Sequence, residues 1–200
     1  LRGGYYPSPR WQSVVQTISE NDPLPDTLRE MVDEIATRTG ETTALGSASG
    51  PFAVFLYVRE SRQPIRCFAE VGTRVPIHAS SARRAILAQM EPKERETLYR
   101  KLVFEKYTDT TPMSIERIEA ELRAAAERGY HQSNSEYIPD LAGVSFPIPL
   151  GVKRLSVVMA GPVSRCLERR AEIARVMSES VRRSGFAAPS LQADETRVAT

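Results

Sequence analysis

Along this chain, stretches in which apolar residues recur every three or four positions alternate with short apolar blocks bounded by glycine and proline. Trp11, Val14, Val15 and Ile18 form one helical stripe, and Leu28, Met31, Val32 and Ile35 a second, which Asp26 is placed to cap and Gly40 to end. Ile115, Ile118, Leu122, Ala125 and Ala126 mark a third helix between Ser114 and Gly129, and Ile173, Val176, Met177 and Val181 a last one closed by Gly185. A charged helix with a thin face, Leu98 and Leu102, starts at Pro92 and belongs on the surface. Strands are predicted over residues 42–45, 52–58, 65–70, 143–150 and 155–160, with turns at Ser49-Gly50-Pro51 and Gly151, and a polar strand over 130–137. Loops this short join antiparallel neighbours, because parallel strands need a crossover of about a dozen residues. The class is therefore α+β, helices laid on a mostly antiparallel sheet.

Composition narrows the function classes. With 27 basic and 25 acidic residues the net charge is +2, which gives no global argument for nucleic-acid or membrane binding. No run approaches the roughly eighteen apolar residues of a membrane span, and a soluble, cytoplasmic protein is expected. Cys67 and Cys166 stand apart in apolar contexts and read as buried, reduced thiols. His78 and His131 have no second ligand at close spacing, so neither a metal nor a cofactor is expected. The chain carries no nucleophile elbow, phosphate loop or dinucleotide fingerprint.

Candidate chemistry concentrates in residues 71–88. Gly72 and Pro76 break the preceding strand, and the helix that follows His78 has Ser80 and Ser81 in its first turn. Small side chains there leave backbone N–H groups open to an anion or carboxylate, although an ordinary helix capped by Ser80 or Ser81 fits the same residues. Arg83 and Arg84 follow: one can complement a carboxylate while the other faces water, or both can be exposed. Glu136 beside Tyr137 can hydrogen-bond a ligand, act as an acid or base, or simply be solvated.

Four stretches carry a resemblance: residues 28–42, ending Ala-Thr-Arg-Thr-Gly-Glu-Thr; residues 71–88, with Pro-Ile-His-Ala-Ser; Arg128-Gly-Tyr before the polar strand containing Glu136; and Ala160-Gly-Pro-Val-Ser-Arg165. In order and spacing they resemble the effector-binding half of the IclR family of bacterial transcriptional regulators. The resemblance implies a GAF-like domain, a curved antiparallel sheet with helices, over residues 23–186. Residues 1–22 then look like the end of a wing strand and a linker helix, and 187–200 like a disordered tail. The abrupt opening Leu1-Arg2-Gly3-Gly4 fits a fragment of a longer polypeptide, with the winged helix-turn-helix that reads operator DNA outside this chain.

By position, the resemblance points to effector contacts at Ser80, Ser81 and Ala82 on the helix turn, Ser133 and Glu136 on the polar strand, Gly143, and Val158 and Ala160 on the last strand. Arg83 stands where the family has a glycine, Gly143 where a cysteine is frequent, and Val158 and Ala160 where some acid-binding members have serines. These departures would remove hydroxyl and thiol partners and add a guanidinium near the mouth, which favours a larger acid with an apolar or aromatic body over glyoxylate or pyruvate. The implied function is ligand sensing without catalysis, in a homodimer or homotetramer. A small enzyme on the same scaffold, or a pure dimerisation module, are the alternatives.

Overall fold

The computed structural model describes residues 24–186, and Arg10 and Ser13 in addition. Of the expected 11–19 helix only Ser13 falls within this range; the wing strand and the C-terminal tail lie outside the described residues.

The chain runs α1 (Asp26–Thr39), β1 (Thr42–Ser49), β2 (Phe52–Arg59), β3 (Arg74–Pro76), α2 (Ser81–Leu87), α3 (Pro92–Tyr99), α4 (Ile115–Arg128), β4 (His131–Asn134), β5 (Leu141–Leu150), β6 (Lys153–Pro162), α5 (Val163–Cys166) and α6 (Arg170–Arg183). The six strands form one sheet in the order β3-β2-β1-β6-β5-β4, every pairing antiparallel. This is the α+β architecture expected, with two hairpins, β1–β2 and β5–β6, joined where β1 pairs with β6.

Strand alternation divides the core in two. Leu155, Val157 and Met159 of β6 join Leu45 and Phe146 beneath α1 and α6, whose stripes contribute Leu28, Met31, Ile35, Ile173 and Met177. Val158 points the other way and packs with Ala44, Ala53 and Phe55 against Ala82 and Ile86 of α2. A third cluster, Ile77, Leu87, Tyr99, Ile118 and Leu122, fixes α3 and α4 to the end of α2.

Three expectations change. Residues 65–70 are not a strand: Thr42 Oγ1 donates to the Cys67 carbonyl at 2.6 Å and Arg165 to the Ile65 carbonyl at 2.8 Å. Side chains thus occupy carbonyls a ladder would need, and Ile65 and Phe68 remain exposed, so no apolar burial favours a strand. The third strand is instead Arg74–Pro76, at the sheet edge, where proline is tolerated. Asp26 does not cap α1 but opens it, with Pro25 at the cap. The polar strand stops at Asn134, because Ser135 adopts φ +53° and turns the chain away.

Candidate functional site

The face of the sheet beneath α2 holds the site. In the register, Gly143 of β5 lies between Ser133 of β4 and Ala160 of β6, and Val158 of β6 lies beside Ala44 of β1. The start of α2 sits above these positions, and between them is a partly enclosed cavity of about 90 Å³. Ser80, Ser81 and Ala82 line it from α2; Ser133 and Glu136 line it from β4 and the loop after it. Gly143, Val158 and Ala160 form its floor. The structure thus brings together eight of the nine residues singled out by sequence; Arg83 is the exception.

One end of the cavity is made of hydroxyls. Ser81 Oγ and Ser145 Oγ are 2.8 Å apart, and Ser133 Oγ donates to Ser81 Oγ at 3.4 Å. Gly143 makes this convergence possible: a Cβ built there would lie 2.8 Å from Ser133 Oγ and 2.9 Å from Ser81 Oγ. The expected loss of polar partners at Gly143 is therefore corrected, since the room a side chain would occupy is taken by hydroxyls from two other elements. Ser80, at the N-cap, makes no side-chain cap bond, so the capped-helix reading does not hold.

Glu136 and the two arginines also depart from expectation. Arg84 is fully buried and grips Glu136 with Nη1 to Oε2 at 2.7 Å and Nη2 to Oε1 at 3.1 Å; it also donates to the carbonyls of His78 and Gln132. The backbone of Glu136 is held in turn by threonines: Thr111 Oγ1 donates to its carbonyl at 2.6 Å, and Thr108 Oγ1 to that of Ser135 at 2.6 Å. Glu136 is neither a solvated residue nor a free acid–base group, and Arg84 does not face water.

Arg83 does not reach the mouth of the cavity. It runs the other way, buried, and donates Nη2 to the Gly50 carbonyl at 3.1 Å, while Nε and Nη1 have no hydrogen-bond partner among the described residues. Burial pulls its pKa down to about 10, with Tyr99 acting in the opposite direction, so it stays charged at neutral pH. The layer around α2 therefore buries two guanidinium charges against one carboxylate.

The remaining wall is mostly apolar. Phe55 and Val75 come from β2 and β3, and Phe68 and Ile138, both exposed, stand at the rim. Cys67 also lines the cavity rather than the core, with its thiol pushed up to about 11 by burial and then by Glu60 and Glu41, so it is a poor nucleophile at neutral pH. Cys166 is raised to about 12, again chiefly by burial. No group of three or more metal-ligating side chains converges among the described residues. His78 instead bonds through Nε2 to the Glu105 carbonyl at 2.8 Å and stacks on Tyr107. Sequence reasoning missed Thr108 and Thr111, which lie in an irregular segment, and placed Cys67 and Phe68 in a 65–70 strand rather than at the cavity.

This fold is that of the C-terminal domain of a bacterial transcriptional regulator. The family described as bacterial transcriptional regulator IclR C-terminal matches residues 16–184. The chain belongs to that family, and it is accordingly a regulator domain and not an enzyme. Among its relatives, BhcR of Paracoccus denitrificans is 30% identical over 149 residues, covering 74% of this chain and 53% of that protein. The repressor AllR of Escherichia coli is 28% identical over 134 residues, 66% of this chain and 49% of that protein. The chain spans about half the length of the curated relatives it matches. An IclR regulator of a Silicibacter species superposes with a TM-score of 0.80 at 21% identity, over 95% of this chain and 79% of that one. The Thermotoga maritima IclR does so at 0.77 and 22%, over 90% and 74%. Among the described residues no helix is long and apolar enough to cross a membrane.

Proposed function

We propose that this chain is the effector-sensing and oligomerising part of an IclR-type regulator. A small carboxylate occupies the cavity beneath α2 and changes the operator affinity of an N-terminal DNA-reading module. The observation that carries this reading is the convergence of eight sequence-predicted residues on one cavity. The excess buried positive charge of Arg83 and Arg84 over Glu136 supports an anionic ligand, because charges in a poorly solvated layer act over several ångströms. A cavity of ~150 Å³ holds a benzene ring, so about 90 Å³ favours a compact aliphatic body over the aromatic one considered from sequence.

The effector shifts the regulator only if it binds two quaternary states unequally, which makes a second copy of the chain the necessary partner. In this reading residues 1–22 link the sensor to the DNA reader, residues 187–200 are a tail, and the protein works in the cytoplasm. A thermal-shift panel tests the ligand class: glyoxylate, pyruvate, butanoate and benzoate, each with its neutral amide where one exists. A ligand at about a hundred times its Kd adds roughly 2.7 kcal/mol, or about 5–10 °C for a chain of this size. A shift confined to compact acids is expected; equal shifts by the amides overturn the acid assignment, and no shift at all favours a pure dimerisation module.

A further inference from the structure

The Arg84–Glu136 pair leaves part of the carboxylate unused, and the unused part belongs to the cavity. A carboxylate has about four lone-pair sites. Arg84 takes one on each oxygen, at 2.7 and 3.1 Å, and no other donor reaches either oxygen among the described residues. Glu136 lines the cavity with its side chain 15% exposed, so a molecule filling the cavity displaces the water that would otherwise satisfy it. A ligand without a donor there leaves a charged acceptor short of a partner, which costs more than an ordinary hydrogen bond contributes.

The hydroxyl end makes the opposite demand. Either hydroxyl of the Ser81–Ser145 pair can donate; with Ser133 donating to Ser81 Oγ, the arrangement in which Ser145 donates as well leaves the Ser81 proton for an acceptor on the ligand. The cavity thus pairs a donor, Ser81, with an acceptor, Glu136, across an apolar wall formed by Val158, Phe55 and Val75.

We infer that the effector is a compact hydroxy acid, its carboxylate accepting from Ser81 and its hydroxyl donating to Glu136. The inference rests on the reading of this cavity as the effector site. A hydroxyl is favoured over an ammonium as the donor because Arg83 and Arg84 already outnumber Glu136 in buried charge, and a cation would add to the imbalance.

Calorimetric titration of the chain with butanoate, 2-hydroxybutanoate, 3-hydroxybutanoate and 2-aminobutanoate tests it. One hydroxybutanoate is expected to bind at least about tenfold more tightly than butanoate, and 2-aminobutanoate no more tightly than butanoate. In the double variant Arg84→Met/Glu136→Met, which removes the pair together and so strands neither partner, that preference is expected to vanish. If that variant does not fold, the wild-type comparison alone decides. Butanoate binding as tightly as both hydroxy acids overturns the inference and leaves the acid-sensing reading standing. Tightest binding by 2-aminobutanoate overturns the choice of hydroxyl. Binding by none of the four acids contradicts the acid-sensing reading itself, and the inference falls with it.

Discussion

Arg84 and Glu136 face each other as a two-pronged ion pair in which the arginine side chain has no solvent exposure. The pair ties the start of α2 to the loop after β4, two walls of one cavity separated by 52 residues of sequence. Because Arg84 also donates to the carbonyls of His78 and Gln132, it fixes the segments on both sides of that cavity.

Removing one partner strands the other. Glu136→Ala leaves a buried guanidinium with only carbonyl partners and is expected to cost about 3 kcal/mol. Urea unfolding followed by circular dichroism measures this, and a cost below about 0.5 kcal/mol would place the pair in an effectively aqueous setting.

Arg83 is expected to behave in the opposite way. Its buried charge has no carboxylate partner among the described residues, so Arg83→Met loses one hydrogen bond to Gly50 and a desolvation penalty together. The variant should melt at the same temperature or higher, while its preference for a carboxylate over the matching amide falls by about tenfold. Paired titrations with acid and amide read this directly.

Two sheet glycines, Gly143 on the cavity floor and Gly161 of β6 outside it, should respond differently to a methyl group. At Gly143 the added carbon meets two serine hydroxyls, which can swing aside into the cavity; Gly143→Ala is expected to cost about 1 kcal/mol and to weaken ligand binding further. At Gly161 it would lie 2.5 Å from Glu41 Oε2 and 2.7 Å from Cys166 Sγ. Glu41 cannot yield, because Arg165 holds it at 2.7 and 2.9 Å. Gly161→Ala should therefore cost about 3 kcal/mol or more, as overpacking against a fixed group does. Melting curves of the two variants test the order.

His131, at the start of β4, supplies a pH dependence. Burial, reinforced by the charges of Arg84 and Arg128, holds its imidazole pKa down at about 3 from the ordinary 6.5. The unfolded chain takes up a proton below about pH 6.5 that the folded chain refuses, so stability is lost as pH falls from 6.5 towards 3. Between pH 7 and 5 the loss amounts to about 2 kcal/mol. Urea unfolding at the two pH values should show it in the wild type and much less of it in His131→Gln.

How much of this was legible in the sequence follows from which interactions are periodic. The stripes Leu28-Met31-Val32-Ile35 and Ile118-Leu122-Ala125 bury as their spacing requires, and Val158 shares a face with Ala44 because strand alternation leaves no other choice. The cavity residues came from the resemblance, with Ser80, Ser81 and Glu136 also singled out by residue type. The burial of Arg83 and Arg84 was not legible, because arginines on a short helix look the same whether their partners are water, a turn carbonyl or a glutamate 52 residues away. Thr108 and Thr111 likewise act on carbonyls at 135 and 136, through hydrogen bonds that leave no local pattern. Residues 65–70 misled as a strand because their apolar side chains serve a cavity rim and an exposed segment rather than a sheet face.

Filling the cavity beneath α2 tests whether the effector binds there. Ala160 lines the cavity and is only partly buried, so Ala160→Leu can occupy the space without disrupting the core. A carboxylate that raises the melting temperature of the wild-type chain by about 5 °C or more should shift a folded Ala160→Leu variant by less than about 1 °C. An undiminished shift in that variant would place the binding site elsewhere.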